Sequence, residues 1–308
     1  MKKLTVIAAA ILLVACAACG QQPRDVQSEK LSVVATIFPA YDFARQIAGE
    51  LADVTMLLPP GSESHSFEPT PRDIARIRDC GVFVCGGGSS DAWAEKILGS
   101  MDTSRMRIVK MTGCVELMEE EAEDHHDHND DIYDEHVWTS PRNAILIVAE
   151  IERALCEADA ANAPLYQENA RAYLEKLEAL DKAFQFVADN AERRTVIFGG
   201  RFPFRYLAEA YGLQCFAAFP GCAEETEASA ATVKFLIDKV NAEQIPVVFH
   251  PELSDTKMAE TIGQATGAKV RLLHACHNIS KDDFLNGKGY LDLMETNARM
   301  LEEALGSK

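Results

Sequence analysis

A regular alternation of short apolar runs with amphipathic helical segments constrains the fold of this 308-residue chain more than any other feature. The first half contains four such runs, from LSVVATIF to MRIVKMT, and the second half contains four more, from TVIFGG to KVRLLH. Strands that alternate with helices form parallel sheets that are covered on both faces. The pattern therefore predicts an α/β protein with two four-stranded parallel sheets.

A single long helical segment separates the two halves. Apolar residues recur from Pro164 at three- and four-residue spacing, as on one helical face. Roughly 28 residues at about 1.5 Å each give a rigid helix of about 40 Å. We predict an N-terminal lobe of residues 31–160, a linking helix within residues 161–193 and a C-terminal lobe of residues 194–308. Ligands of such sheets bind beyond the carboxyl ends of the strands, which predicts a cleft between the lobes.

The N-terminus is typical of an exported protein. Two lysines precede a largely apolar run that is too short to span a bilayer. The triplet LVA directly before Cys16 resembles the bacterial lipobox, so we expect a signal peptide of residues 1–15, lipidation at Cys16 and a polar tether of residues 16–30. Cys19 is the alternative lipidation site, and simple secretion is the alternative fate.

An acidic, histidine-rich stretch follows the fourth apolar run. In EEEAEDHHDHNDDIYDEHVW, four histidines stand among ten carboxylates. Such residues do not build a core, so residues 119–131, the first part of the acidic loop of residues 119–135, are predicted to be solvated. Imidazoles suit Zn, Cu, Ni and Co, and carboxylates attract any divalent ion, so His125, His126 and His128 are predicted to collect cations. The alternative is an acidic linker with accidental histidines.

Overall charge excludes one class of partner. The formal net charge is -18, and Lys and Arg are not clustered, whereas a nucleic-acid backbone requires clustered cations. A cationic ligand is the natural alternative. The nine cysteines include no CxxC motif and are too few for a disulfide-built scaffold.

Three isolated histidines follow predicted strands or the acidic loop. His65 lies in PPGSESHSFEPTP, His136 in YDEHVWTSP and His274 in HACHN. A lone histidine is more often structural than a ligand. Three at equivalent loop positions, beside a histidine-rich segment, favour a metal site.

Several motifs also carry a family resemblance. PPGSESHSFEPTPRDIARI, DEHVWTSP, FRYLAEAYGL, AETIGQATGAKV and GYLDLMETN resemble the successive motifs of the cluster A-I substrate-binding lipoproteins of zinc and manganese ABC importers. The resemblance spans residues 31–305 and implies two α/β lobes joined by a rigid helix, with metal between them. The histidine-rich loop marks the zinc branch. The resemblance thus implies a monomeric, non-enzymatic lipoprotein at the cell surface or in the periplasm that delivers Zn²⁺ to an ABC permease.

The resemblance also implies a ligand set. His65 and His136 occupy the first two ligand positions, and the fourth falls on His274. Arg201 occupies the third position, but arginine has no acceptor and stays protonated, so it is not a ligand. Three neutral imidazoles suit Zn²⁺, with water or a carboxylate in the fourth place.

Other residues are secondary candidates for the cleft. Glu252 and Glu227 are the first carboxylate candidates for the fourth place, and Arg201 could pair with one of them. His250 and His277 rank below His274, since alternating residues on an extended segment point in opposite directions. Cys276 is more consistent with a buried thiol than with a ligand.

Three alternative functions stay open from sequence alone. A manganese receptor is one, although nitrogen ligands favour Zn over Mn. A secreted zinc metallohydrolase is another, but the chain has no HExxH motif, and the glutamate of GSESH lies two residues from its histidine in a loop. The third is an adhesin or metal buffer in which only the acidic loop matters.

Overall fold

The computed structural model describes residues 30–63, 66–119, 133–219 and 228–306. The predicted signal peptide, Cys16 and Cys19 lie outside these ranges, as do His65, Glu227 and the three histidines of the acidic loop. The described strands are β1 (Leu31–Ala35), β2 (Ala52–Met56), β3 (Val82–Cys85), β4 (Arg107–Lys110), β5 (Thr195–Phe198), β6 (Gln214–Ala217), β7 (Val247–His250) and β8 (Lys269–Leu272). The described α-helices are α1 (Phe38–Ala48), α2 (Pro71–Asp79), α3 (Ala92–Leu98), α4 (Pro141–Ala158), α5 (Ala163–Asp189), α6 (Arg205–Tyr211), α7 (Ala230–Glu243), α8 (Lys257–Thr266), α9 (Lys281–Leu285) and α10 (Tyr290–Leu305).

The strands form two separate four-stranded sheets. Their orders are β2-β1-β3-β4 and β6-β5-β7-β8, and the strand pairs are parallel in both. The central strand β3 is buried throughout, whereas on the edge strand β4 only Val109 is buried. The two parallel sheets predicted from the alternation are confirmed, and the two halves repeat the same strand order.

The long helix α5 connects the two halves. It has 27 residues, which at about 1.5 Å per residue gives a length of about 40 Å. Its buried face comprises Tyr166, Ala170, Tyr173, Leu177, Leu180, Phe184 and Ala188. One apolar core contains this face together with Val33 of β1 and Val196 of β5. The helix is therefore packed into a core that both sheets share, as the spacing of its apolar residues predicts.

Helix α2 begins with the cap that its sequence predicts. The Thr70 side chain accepts a hydrogen bond from the Asp73 backbone N–H, and the Asp73 carboxylate accepts one from the Thr70 N–H, while Pro71 occupies the first helical position. Burial alone would raise the pKa of Asp73, but hydrogen bonds from Thr70 and Arg76 outweigh it and lower that pKa. The cap fixes where the chain leaves the loop that follows β2.

The closing helix α10 is held against the first half of the chain. Asp42 is fully buried, and its carboxylate accepts hydrogen bonds from the Tyr290 backbone N–H at 2.8 Å and from Arg45 Nη2 at 2.7 Å. A carboxylate at a helix N-terminus offsets the positive end of the helix dipole. Asp42 thus joins α1 to the start of α10.

Within the described ranges, none of the helices has the length and apolar character needed to cross a membrane. The short helix α9 and a turn of 3₁₀ helix at Val137–Thr139 are additions to the predicted pattern. The 3₁₀ turn directly follows His136, which lines the cavity described next.

Candidate metal centre

His136 lies on the part of the first half that we call the first wall, residues 134–138. It directly precedes the 3₁₀ turn that leads into α4, and its side chain is 3% exposed. Asp134 Oδ1 accepts two hydrogen bonds from His136, one from the backbone N–H at 2.8 Å and one from ring Nδ1 at 2.9 Å. An imidazole that donates its Nδ1 proton to a carboxylate has a lone pair on Nε2, which is the arrangement of metal-binding histidines.

Asp134 can accept both hydrogen bonds from His136 because its carboxylate is ionised. Burial alone would raise the pKa of Asp134, but the hydrogen bonds from His136 and the attraction of Arg205 outweigh burial and lower that pKa. The Arg205 Nε atom lies 3.9 Å from Asp134 Oδ2. Tyr206 of α6 adds a hydrogen bond from its hydroxyl to the Asp134 carbonyl oxygen at 2.8 Å. The second half of the chain therefore helps to position the first wall.

Glu135 fixes the first wall from the other side. Its carboxylate accepts hydrogen bonds from the Ser90 backbone N–H at 2.9 Å and from the Ser90 hydroxyl. A Cβ atom on Gly88 would lie 2.2 Å from Glu135 Cβ, so the loop after β3 requires glycine at this close approach. The wall is thereby held between that loop and helix α6.

Trp138 lies beneath the cleft and joins its two sides. Its indole Nε1–H donates to the Ala275 carbonyl oxygen at 2.8 Å, and its own carbonyl oxygen accepts from the Tyr290 hydroxyl at 2.7 Å. The Trp138 ring centroid lies 5.4 Å from that of His136 and 5.0 Å from that of His277. Both imidazoles therefore rest against one buried aromatic side chain.

The second wall consists of residues 274–278 and Glu252. Glu252 Oε2 accepts from the Ala275 backbone N–H at 2.6 Å, and Oε1 accepts from the His277 backbone N–H at 2.9 Å. Cys276 between them has a φ of 59°, in the left-handed region that non-glycine residues rarely adopt. The carboxylate thus stabilises a strained turn that directs His277 towards the cleft.

A cavity of about 150 Å³ lies between the two walls. Its lining includes His136 from the first wall and Glu252, His277 and Asn278 from the second, together with Glu63 and Arg201. The ring centroids of His136 and His277 are 5.1 Å apart. Two imidazoles bound at about 2.0–2.1 Å to one tetrahedral Zn²⁺ place their ring centroids about 5 Å apart, so this separation suits a shared ion.

His274 is placed differently from the sequence-based expectation. It does not belong to the residues that line the cavity, whereas His277, which ranked below it, does. Its Nδ1 accepts a hydrogen bond from the Cys276 backbone N–H at 2.9 Å, so the neutral ring carries its proton on Nε2. Asn297 of α10 binds both the backbone N–H and the carbonyl oxygen of His274, at 2.8 and 2.7 Å. These contacts give His274 a structural role within the second wall, away from the cavity.

The remaining candidates separate into those at the cavity and those elsewhere. Arg201 lines the cavity, but its ion pair is with Glu63, at 3.6 Å between Nη1 and Oε1, and not with Glu252. His250 lies outside the cavity lining, and its Nδ1 is 3.0 Å from the Pro251 carbonyl oxygen. Cys276 is fully buried, and burial raises the pKa of its thiol, as expected for an inert cysteine.

Two contributors to the cleft were missed in the sequence. Asp134 stands two residues before His136 in DEHVW, and a carboxylate so close to a candidate ligand is a signal that could have identified it. Asn278 donates from Nδ2 to the carbonyl oxygens of Pro59 at 2.9 Å and Ser62 at 2.7 Å. No local pattern could have paired residues that are more than 200 positions apart. Across residues 30–63, 66–119, 133–219 and 228–306, three or more His, Cys, Asp or Glu side chains do not come together as a complete metal site.

Comparison with known families gives one match that covers most of the chain. Residues 33–304 match the family described as zinc-uptake complex component A, periplasmic, or ZnuA. The range includes both sheets, helix α5 and both walls of the cleft.

Individual relatives agree with this match. The zinc-binding lipoprotein AdcA of Streptococcus pneumoniae is 31% identical over 309 residues, covering 98% of this chain and 61% of that relative. This chain therefore spans less than two thirds of the length of AdcA. The high-affinity zinc uptake system protein ZnuA of Bacillus subtilis is 34% identical over 312 residues, covering 98% of this chain and 97% of that protein.

A solved structure shares the fold. The Zn(II)-bound ZnuA-like domain of Streptococcus pneumoniae AdcA superimposes with a TM-score of 0.76 at 30% identity, covering 90% of this chain and 99% of that domain.

Proposed function

The chain belongs to the ZnuA family of periplasmic zinc-uptake components, and from this premise we propose that it captures Zn²⁺ outside the cytoplasm and delivers it to an ABC permease. It acts as a receptor and not as an enzyme. Zinc is its cargo, held in the cavity between the two walls until it is passed on.

The observation that carries this proposal is the pair of imidazoles at the cavity. His136 and His277 come from different halves of the chain and are 5.1 Å apart between ring centroids. Asp134 orients the first ring directly, and Glu252 holds the backbone that presents the second. A site between two halves of a chain can be assembled or opened by small movements of either half.

We assign three imidazoles to the zinc site: His65, His136 and His277. His65 lies outside the described residues and is assigned from its motif. His277 replaces His274 in this set, because His277 lines the cavity, whereas His274 does not line it and carries its ring proton on Nε2. Imidazole ligands favour Zn²⁺ over Mn²⁺, so a manganese receptor is the weaker alternative.

We also propose how the chain reaches and serves the membrane. A signal peptide of residues 1–15 would direct export, and a lipid on Cys16 would anchor the protein through the tether of residues 16–30. The sequence before Cys16 supports this assignment. The folded part would act as a monomer with lobes of residues 31–160 and 194–308, joined by the helix within residues 161–193.

We propose that His125, His126 and His128 collect zinc before the cleft takes it. The density of imidazoles and carboxylates in this loop supports a weak, replaceable cation site. If the adhesin or buffer alternative were correct, zinc binding would depend on this loop alone. Deleting residues 120–131 separates the two cases, because the cleft proposal predicts that one tight site survives the deletion.

A competition titration tests the proposed function. The full exported chain is freed of metal and titrated with Zn²⁺, Mn²⁺ and Co²⁺ against a chromophoric chelator. We expect one tight zinc site per chain and weaker manganese binding. Tighter binding of manganese, or no tight site, would contradict the proposal. An assay for hydrolase activity after zinc loading is expected to show none.

A further inference from the structure

The turn that presents His277 is held from both halves of the chain, by Glu252 of the second half and by contacts of Asn278 with the first half. We propose that Asn278 is a positioning residue of the zinc cavity. Its side-chain amide fastens residues 59–62, here called the β2 turn, to the turn that presents His277. Asn278 does not bind the metal and acts through His277, which directly precedes it in the chain. This inference rests on the proposed zinc-binding function and deepens it.

The β2 turn has a rigid shape of its own. It reads Pro-Pro-Gly-Ser, and the Ser62 backbone N–H donates to the Pro59 carbonyl oxygen at 3.1 Å. Gly61 has a φ of 78°. Proline at the second place and glycine with a positive φ at the third are typical of a type II β-turn. Because proline restricts the backbone before folding, the turn presents its carbonyl oxygens in a fixed arrangement.

Asn278 matches this turn with all of its side-chain hydrogen-bonding groups. Its Nδ2 donates to the Pro59 carbonyl oxygen at 2.9 Å and to the Ser62 carbonyl oxygen at 2.7 Å. Its Oδ1 accepts a hydrogen bond from the Ile279 backbone N–H at 2.8 Å. A carboxamide nitrogen has two N–H groups, so both are used, on carbonyl oxygens at the two ends of one turn. Asn278 is buried, and buried hydrogen bonds are costly to lose.

A backbone hydrogen bond joins the same two segments. The Gly61 N–H donates to the Ile279 carbonyl oxygen at 2.8 Å. Together with the two bonds from Asn278, it connects the β2 turn to residues 278–279, although the two segments are more than 200 positions apart in the chain. Because the β2 turn is rigid and is bound at both of its ends, it and the segment after His277 form one unit.

This unit borders the zinc cavity directly. Ser62 and Asn278 line the cavity together with His277. Glu252 binds the His277 backbone N–H from the second half, and Asn278 fastens the following residue to the first half. The backbone of His277 is therefore fixed on both sides. Since a metal tolerates little displacement of its ligands, this fixation keeps the His277 ring at the 5.1 Å from the His136 ring that suits a shared ion.

Two alanine substitutions in the full chain separate positioning from stability. Asn278→Ala removes the proposed positioning amide, and Asn169→Ala removes a matched amide, whose Nδ2 donates to the Ile47 carbonyl oxygen at 2.9 Å outside the cavity lining. Both variants should lower the Tm of the metal-free chain, because each removes hydrogen bonding between distant elements. Asn278→Ala should also weaken zinc binding about 10–100-fold, and Asn169→Ala less than about threefold. Equal zinc affinities of the two variants would overturn the proposal.

The rate of zinc release is a readout that a purely structural role would leave unchanged. The zinc-loaded chain is mixed rapidly with an excess of a chromophoric chelator, and the appearance of the zinc–chelator complex is followed. We expect Asn278→Ala to release zinc at least about tenfold faster than the wild-type chain, because a displaced His277 ring holds the metal less firmly. Asn169→Ala should stay within about twofold of the wild-type rate. A wild-type rate in Asn278→Ala would contradict the positioning role.

Gly61→Ala tests the same contact from the side of the β2 turn. An alanine at a φ of 78° strains the turn, but its Cβ would lie 3.5 Å from the Lys281 side chain, an ordinary contact distance, so the chain should stay folded. Gly61→Ala alone should weaken zinc binding, and an unchanged affinity would overturn the proposal. Added to Asn278→Ala, it should cost less affinity than it does alone, because both substitutions act on one turn. Full additivity would show that Asn278 does not act through this turn.

The same titrations separate this inference from the proposed function. If the wild-type chain binds no zinc tightly, the proposed function fails and the inference fails with it. If the wild-type chain binds zinc tightly while Asn278→Ala matches Asn169→Ala, only the positioning role of Asn278 fails.

Discussion

The two walls of the cleft hold their histidines by different means. In the first wall, Asp134 accepts a hydrogen bond from the imidazole ring of His136 itself. In the second wall, Glu252 binds backbone N–H groups on either side of Cys276 and makes the turn that presents His277. One carboxylate therefore sets the orientation and basicity of a ring, and the other sets the path of the backbone.

This difference predicts that the two carboxylates contribute to different quantities. Loss of Asp134 would act mainly on metal affinity, because a ligand ring loses the partner that fixes its tautomer. Loss of Glu252 would act mainly on folding stability, because buried backbone donors lose their acceptor.

A pH titration tests whether both walls bind zinc through imidazole. Imidazoles must be neutral to bind a metal, and their pKa is ordinarily about 6.5. Protonation of the two histidines would therefore make zinc binding at pH 5 about 1,000-fold weaker than with both rings neutral. The pKa of Asp134 is lowered, so the stability it contributes is present above the pKa of an unfolded aspartate, about 3.9, and is lost only as pH falls through its folded pKa. The loss of affinity between about pH 6 and 5 thus belongs to the histidines. Constant affinity down to about pH 5 would indicate carboxylate ligands instead.

Alanine substitutions compare the two walls directly. We expect His136→Ala and His277→Ala each to weaken zinc binding by at least about 100-fold, because each removes a ligand. His274→Ala is the matched control, since it removes a neighbouring imidazole that does not face the cavity. A larger loss of zinc affinity for His274→Ala than for His277→Ala, measured by the same competition titration, would identify His274 as the metal ligand in place of His277.

Asp134→Ala tests how the first wall works. We expect it to weaken zinc binding by about 10–100-fold while the chain stays folded, because the His136 ring loses its orienting acceptor. Thermal unfolding of the metal-free protein provides the control. A variant that binds zinc normally would show that burial alone orients His136.

Glu252→Gln tests the second wall in the same way. A glutamine side chain has one carbonyl acceptor for the two N–H groups of Ala275 and His277, so one buried donor loses its partner. We expect the metal-free protein to lose about 1–3 kcal/mol of unfolding free energy. Zinc affinity should fall less than about tenfold, because the substitution leaves the metal-binding imidazole of His277 in place. The reverse pattern, with stability intact and affinity lost, would identify Glu252 as a ligand.

Local patterns in the sequence were sufficient for the fold. The alternation of apolar runs gave both sheets, and the spacing from Tyr166 to Phe184 gave the buried face of α5. The helix cap at Thr70 and Pro71 could also be predicted from the sequence, because capping depends on adjacent residues. Each of these features is decided within a few positions along the chain.

The details of the cleft depend on distant contacts and were harder to predict. The choice between His274 and His277 depends on the turn at Cys276, whose φ of 59° interrupts simple alternation along an extended segment. That turn is stabilised by Glu252, more than 20 residues away. Arg201 likewise pairs with Glu63 from the other half of the chain, a partner that neighbouring sequence does not indicate.

The position of the metal in a crystal of the zinc-loaded protein shows directly whether His136 and His277 bind the same ion. Anomalous diffraction at the zinc absorption edge locates the ion without reference to the ligands. We predict one strong peak in the cleft, about 2.0–2.1 Å from a ring nitrogen of both His136 and His277. A peak on His274, or on the acidic loop with the cleft empty, would contradict it.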